Sequence, residues 1–186
     1  MLLMYSAEQP FEAGPCRIEE IIDETVETLE RHGMIPPGVV VERDYTADIP
    51  VCEADAEQLK MVMWNLLLNS MQAVEQQGEE AVVQVNAYPR TTKGKQVIMV
   101  DVLDSGPEFD ATRIPSFFEP FKGTRPGGIG LGLTLSRTAV ERHGGRLGME
   151  RKDGYTRTSY VLPVRVEAPV AGKANGRAPQ KSSVFN

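Results

Sequence analysis

The chain has 186 residues, enough for one domain with a sizeable core and too few for two comfortable ones. Its 41% hydrophobic and 25% charged content is ordinary for a globular protein, and a net charge of −6 argues against nucleic acid or an anionic membrane as the main partner. The two cysteines, Cys16 and Cys52, are too few for a disulfide or zinc framework, and no apolar run approaches the roughly 18 residues of a membrane span, so we expect a reduced, cytoplasmic setting.

Met1 to Tyr5 is apolar but lacks the basic flank and length of a signal peptide. From Arg17 to Arg31, Ile18, Ile21, Ile22, Val26 and Leu29 recur at helical spacing with acids on the other face, and Gly33 stops the helix. Val39 to Asp44 is short and β-branched, a strand. Asp55 is the N-cap of a helix over 56–76, with Gln58 completing a capping-box pattern and Gly78 as the stop. Two strands, 81–88 and 96–103, flank a polar loop over 89–95. A helix over 131–143 ends at Gly144-Gly145, and 146–151 with 156–164 form a closing strand pair. Beyond Pro163 the composition turns to Pro, Gly, Ala, Lys and Ser, which predicts a disordered tail over 164–186. Helices and strands alternate without strict βαβ order, so the fold class is α/β (α+β): a two-layer sandwich, with helices on one face of a mixed sheet.

Three clusters carry chemistry. Asn65 and Asn69 lie four residues apart in an apolar helix, which places both carboxamides on one face; such a carbonyl is a neutral oxygen ligand suited to Mg²⁺. Asp104 ends an apolar strand and is followed by Ser105-Gly106; its carboxylate can accept a hydrogen bond from the exocyclic amine of adenine. Gly128-x-Gly130-x-Gly132, with Leu131 inside it, opens a helix, so exposed N–H groups and the helix dipole can hold phosphate. There is no Gly-Lys-Ser/Thr, which excludes a Walker A loop, and Gly-x-Gly-x-x-Gly is not matched.

In this order the clusters resemble the N, G1, F and G2 boxes of the GHKL superfamily, most closely the catalytic, ATP-binding domain of sensor histidine kinases, over roughly residues 17–163. The resemblance implies the Bergerat ATP-binding fold, with ATP and Mg²⁺ as cofactors. Asn69 becomes the metal ligand, Asn65 supports the phosphate side, and Asp104 with Gly106 forms the adenine pocket. Phe117-Phe118-Glu119-Pro120-Phe121 matches the F box, with its aromatics packed under the segment that follows. Lys122 to Ile129 corresponds to the ATP lid, with Lys122 and Arg125 as phosphate contacts, and Thr156 to a C-terminal Gly-x-Thr element. Residues 1–16 correspond to the end of a dimerisation helix and a linker.

Two departures matter. The second glycine of the G1 pattern is Glu108, which would be strained if its φ were positive and would add charge near a polyanion. The first N-box position, a water-activating glutamate in the superfamily's hydrolases, is Asn65, which has no basic lone pair and so favours transfer to a protein acceptor. His32 and His143 each sit at a helix end before glycine, as C-terminal dipole partners rather than phosphoacceptors. The resemblance therefore implies a histidine-bearing dimerisation domain, in cis or in trans, and a response regulator as partners. Two alternatives stand beside it: a stand-alone anti-sigma-type serine kinase, and a degenerate, nucleotide-free interaction module.

Overall fold

The computed structural model of the protein describes residues 10–75, 81–122 and 130–164. Its helices are α1 (Ile18–Arg31), α2 (Ala56–Val74), the single turn α3 (Ile114–Phe117) and α4 (Gly132–Arg142). The strands are β1 (Gly14–Cys16), β2 (Val39–Tyr45), β3 (Cys52–Ala54), β4 (Ala81–Thr92), β5 (Lys95–Asp104), β6 (Arg146–Lys152) and β7 (Tyr155–Pro163). Five strands form one sheet in the order β2-β4-β5-β7-β6, and β1 and β3 form a separate two-stranded ribbon. Only the β2–β4 pair is parallel; the rest of the large sheet is antiparallel. The sheet is mixed, as predicted.

Strand alternation makes one face of the sheet apolar. Val83, Val85 and Ala87 of β4, Ile98, Val100 and Val102 of β5, and Tyr160 and Leu162 of β7 are buried on it. They meet Leu59, Val62, Met63, Leu66, Leu67 and Met71 of α2, with α1 contributing Ile18, Ile22, Val26 and Leu29. Three of the strand-face positions nearest one end are not apolar: Asp104, Thr156 and Arg151, lined up across β5, β7 and β6 by the register pairs Asp104↔Thr156 and Arg151↔Thr156. The core side of the sheet thus runs from hydrocarbon into a polar corner.

Helix ends behave as their sequences dictate. At the end of α1, Gly33 takes φ 63°, its N–H donates to Glu30 O (2.9 Å) and the Met34 N–H to Leu29 O (2.9 Å), the paired bonds of a Schellman cap. Gly144 (φ 70°) ends α4 in the same way, with Gly144 N–H on Glu141 O and Gly145 N–H on Val140 O. Asp55 caps α2, accepting from the Gln58 N–H at 3.1 Å. The return bond of a capping box is absent: the Gln58 amide donates to the Asp55 carboxylate instead, and the Asp55 N–H goes to His143.

Two sequence expectations are corrected, and two others are untested. The polar loop over 89–95 is a two-residue turn: β4 continues to Thr92 and β5 begins at Lys95, with Lys93 (φ 51°) and Gly94 (φ 74°) between them in the left-handed pair that matches strand twist. β1 falls inside the stretch read as linker, pairing with β3, which was not foreseen. The predicted stop at Gly78 and the tail beyond Val164 lie outside the described residues.

Candidate nucleotide site

The sequence of α2 divides the helix lengthwise. Leu59, Val62, Met63, Leu66, Leu67, Ser70, Met71 and Val74 are buried, whereas Asn65 and Asn69 lie on a half-buried stripe along the same helix. The two carboxamides therefore share a face, as their spacing requires. Asn65 Nδ2 donates to the Ser136 hydroxyl of α4 at 3.4 Å. It also sits against the first residue of α4: a Cβ added at Gly132 would lie 3.7 Å from the Asn65 carboxamide. The N-box helix and the end of the glycine-rich loop are thus neighbours.

Asp104 is 4% exposed, at the polar corner of the sheet. Its carboxylate accepts from the Gly106 N–H (3.0 Å) and from the hydroxyls of Ser70 on α2 and Thr156 on β7. Burial pushes its pKa up, and those donors together with the Arg151 charge pull it back. Arg151 donates to both Thr156 Oγ1 and Gly106 O at 2.9 Å, closing the corner. Gly106 is required by space rather than by backbone angle: a Cβ there would meet Ala73 Cβ at 2.7 Å and Asp104 Oδ1 at 2.8 Å.

The strain anticipated at Glu108 does not occur. Glu108 is exposed and is not among the positive-φ residues, which are Asp48, Lys93, Phe121 and Asp153 apart from glycines. Just after it, Phe109 packs edge-on against Phe117 (centroids 5.2 Å apart) and lies beside the Arg151 guanidinium. The F-box aromatics divide. Phe118 is buried, its carbonyl accepting from Thr134 Oγ1 (3.0 Å) and Arg137 (3.2 Å) of α4, with Arg137 also over its ring. Phe121, predicted to pack with them, is 75% exposed at φ 63°.

Lys122 is on the surface, ion-paired with Glu119. Arg125 and Gly128 lie outside the described residues. Gly130 takes φ 70° and its carbonyl accepts from the Phe121 N–H at 3.1 Å, so the two ends of the lid segment are joined. Leu131 is the N-cap of α4 and Gly132 its first residue, and among the described residues no side chain caps the turn. Its leading N–H groups and dipole could hold an anion, beside Asn65.

Residues 54–166 match the family model described as histidine kinase-, DNA gyrase B-, and HSP90-like ATPase. The chain belongs to this ATPase family. The sensory histidine kinase/phosphatase NtrB of Rhodobacter capsulatus is 33% identical over 162 residues, 84% of this chain and 45% of that protein. NtrB of Salmonella typhimurium is 31% identical over 135 residues, 70% of this chain and 39% of that protein. The chain thus spans less than half the length of these relatives. Among solved structures, the catalytic domain of histidine kinase ThkA superposes with a TM-score of 0.71 at 24% identity, covering 83% of this chain and 97% of that one. A mycobacterial sensor histidine kinase, MprB, gives 0.68 at 24% identity, covering 84% and 100%. No helix among the described residues is long and apolar enough to cross a membrane.

Within this family fold, sequence reasoning missed Ser70, Ser136 and Arg151. Ser70 carried a usable signal, being the residue after Asn69; Ser136 and Arg151 are placed only by the tertiary fold. The two histidines also separate. His32 is exposed at the end of α1, its Nδ1 2.7 Å from Thr28 O. His143 is wholly buried, with Nδ1 2.7 Å from Ala139 O and Nε2 accepting the Asp55 N–H at 2.9 Å. That pattern fixes a neutral imidazole with the proton on Nδ1, and burial lowers its pKa. It joins the end of α4 to the start of α2, and the Phe11 ring packs edge-on against it at 4.8 Å.

Proposed function

We propose that this chain is the ATP-binding catalytic domain of a sensor histidine kinase, with its nucleotide domain at about residues 17–163. It binds ATP with Mg²⁺ and transfers the γ-phosphate to a histidine on a dimerisation domain, in cis or in trans, from which a response regulator is served. The observation that carries this reading is the convergence of the Asn65–Asn69 stripe, the Asp104 corner and the uncapped start of α4. In this reading they serve as the metal, base and phosphate determinants respectively. The NtrB relatives are sensory histidine kinases/phosphatases, and ThkA has been solved in complex with the response regulator protein TrrA, which supports a response regulator as a partner here.

In this reading the buried Asp104 carboxylate, held by Gly106, Ser70 and Thr156, accepts from the adenine amine. Arg151 keeps that corner closed. The first turn of α4 holds phosphate oxygens through its N–H groups. The Asn69 carboxamide would offer a neutral protein oxygen to a Mg²⁺ that takes its other ligands from water and the nucleotide's phosphates. Bound there, Mg²⁺ would neutralise phosphate charge. Asn65 positions but has no lone pair basic enough to activate water, so the site favours transfer over hydrolysis.

Calorimetric titration with a non-hydrolysable ATP analogue, with and without Mg²⁺, tests the first half. Saturable binding strengthened by Mg²⁺ is expected; no binding up to millimolar nucleotide moves the nucleotide-free interaction module to first place. Adding a histidine-bearing dimerisation domain with labelled ATP tests the second. An acid-labile phosphoryl product is expected, whereas an acid-stable one would mark a serine acceptor.

A further inference from the structure

Spacing alone left Cys16 and Cys52 unrelated, yet the fold sets them face to face. They are register partners across the antiparallel β1–β3 ribbon, and both are free thiols. Residues directly opposite on antiparallel strands project to the same side. The Glu53 N–H donates to Val164 O (3.3 Å), away from β1, and its register partner Pro15 has no N–H. The Pro15–Glu53 position therefore carries no ladder bonds, and the adjacent Cys16–Cys52 position is of the hydrogen-bonded type. Such a pair has Cα atoms about 5.5 Å apart, inside the range of about 4.4–6.8 Å spanned by disulfides. Its Cβ atoms are about 5 Å apart, wider than the 3.5–4.5 Å or so that a relaxed bridge takes. A bond is within reach of a small closure of this three-residue ribbon, at the cost of strain.

We propose that Cys16 and Cys52 are a reversible redox pair, forming a strained intrachain disulfide by exchange with a low-molecular-weight disulfide of the glutathione type. Cys16 reacts first. It is partly exposed, with its thiol donating to Ala54 O (3.2 Å), and lines a cavity of about 390 Å³ together with the ion pairs Arg17–Glu20 and Lys60–Glu24; Cys52 is buried. The Cys16 thiolate attacks one sulfur of the external disulfide, forming a mixed disulfide and expelling one thiolate. The Cys52 thiolate then attacks Cys16 Sγ, forming the protein bridge and expelling the second. Two protein thiols and one external disulfide become one protein disulfide and two external thiols, which take up the two protons.

Burial lifts both thiols above the usual range, Cys52 to about 12, so exchange is slow and the equilibrium is what should be measured. Strain makes the bridge easier to reduce than an ordinary structural disulfide. Its place gives it leverage. β3 leads directly into Asp55, which caps the helix bearing Asn65 and Asn69 and also accepts the Glu12 N–H at 3.2 Å. The bridge would fasten the stretch ahead of α1 to the start of α2.

The test is to equilibrate the whole chain in a series of reduced/oxidised glutathione buffers, quench with acid, alkylate, and read the intact mass and the cross-linked peptides. The expected result is a monomer lighter by two hydrogens, with both cysteines protected and one peptide joining positions 16 and 52. Half-conversion should fall within the glutathione series, and reducing buffer should reverse it. Cys52→Ala should stop at the Cys16–glutathione adduct, Cys16→Ser should leave the buried Cys52 alkylatable after unfolding, and neither should form a bridge. The proposal is overturned if both cysteines still alkylate in the most oxidising buffer, if the reaction stops at a glutathione adduct, or if the product is a disulfide-linked dimer.

Discussion

Asp104 shows how far a single carboxylate can be committed before any ligand arrives. It already accepts from a backbone N–H and two hydroxyls, and it faces Arg151. Asp104→Ala would strand those donors in a buried corner and cost about 2 kcal/mol or more of stability, confounding any binding result. Asp104→Asn keeps the shape and one acceptor oxygen while removing the charge. We expect it to leave the fold intact and weaken binding of the ATP analogue at least tenfold, about 1.4 kcal/mol; unchanged affinity by calorimetry would remove Asp104 from the adenine pocket. His143 makes a prediction of opposite electrostatic kind. Its folded-state pKa is depressed by burial, so the unfolded chain binds a proton that the folded chain refuses. Stability is therefore full above the unfolded value, about 6.5, and declines as pH falls from there toward the lowered folded value. Thermal midpoints recorded between pH 8 and pH 5 should drop, and His143→Gln should flatten that slope.

At the level of elements, helices α1, α2 and α4 were readable from their apolar residues and, for α1 and α4, from their glycine stops; β2, β4, β5 and β7 were readable from β-branched residues and β6 only as the partner of a closing strand pair. β1 and β3 were not, because three residues carry no period and Pro15 sits in one of them. The site was legible by box but not by assembly. Asn65 and Asn69 announce a shared face by spacing alone, whereas the pairing of Asp104 with Thr156 depends on strand register between segments some fifty residues apart. Arg151 drew no notice in the sequence beyond ending a predicted strand. The junction between α4 and β6 offers a sharper test of element packing. A Cβ at Gly145 would meet Val161 O at 2.2 Å and Val140 Cγ1 at 2.9 Å. Since the nearest atom is backbone, Gly145→Ala should cost about 2 kcal/mol or more, read as a lower denaturant midpoint, although the residue touches no part of the nucleotide corner.

Across the whole molecule, the polar corner belongs to no single stretch of chain: α2 supplies Ser70, β5 supplies Asp104, β6 supplies Arg151 and β7 supplies Thr156. Both hairpins of the large sheet close through two-residue turns, Lys93-Gly94 and Asp153-Gly154, and are local in sequence. The β5–β7 pairing that joins them is not. A slip of one residue there would turn Thr156 to the opposite face of the sheet and leave the hairpins themselves undisturbed. With the corner reading adenine as proposed, recognition would act as a proofreader of the chain's own assembly: during refolding, a compact species with normal strand content but a misaligned central pair would be blind to nucleotide, and only correctly threaded molecules would be drawn out of the mixture by ATP.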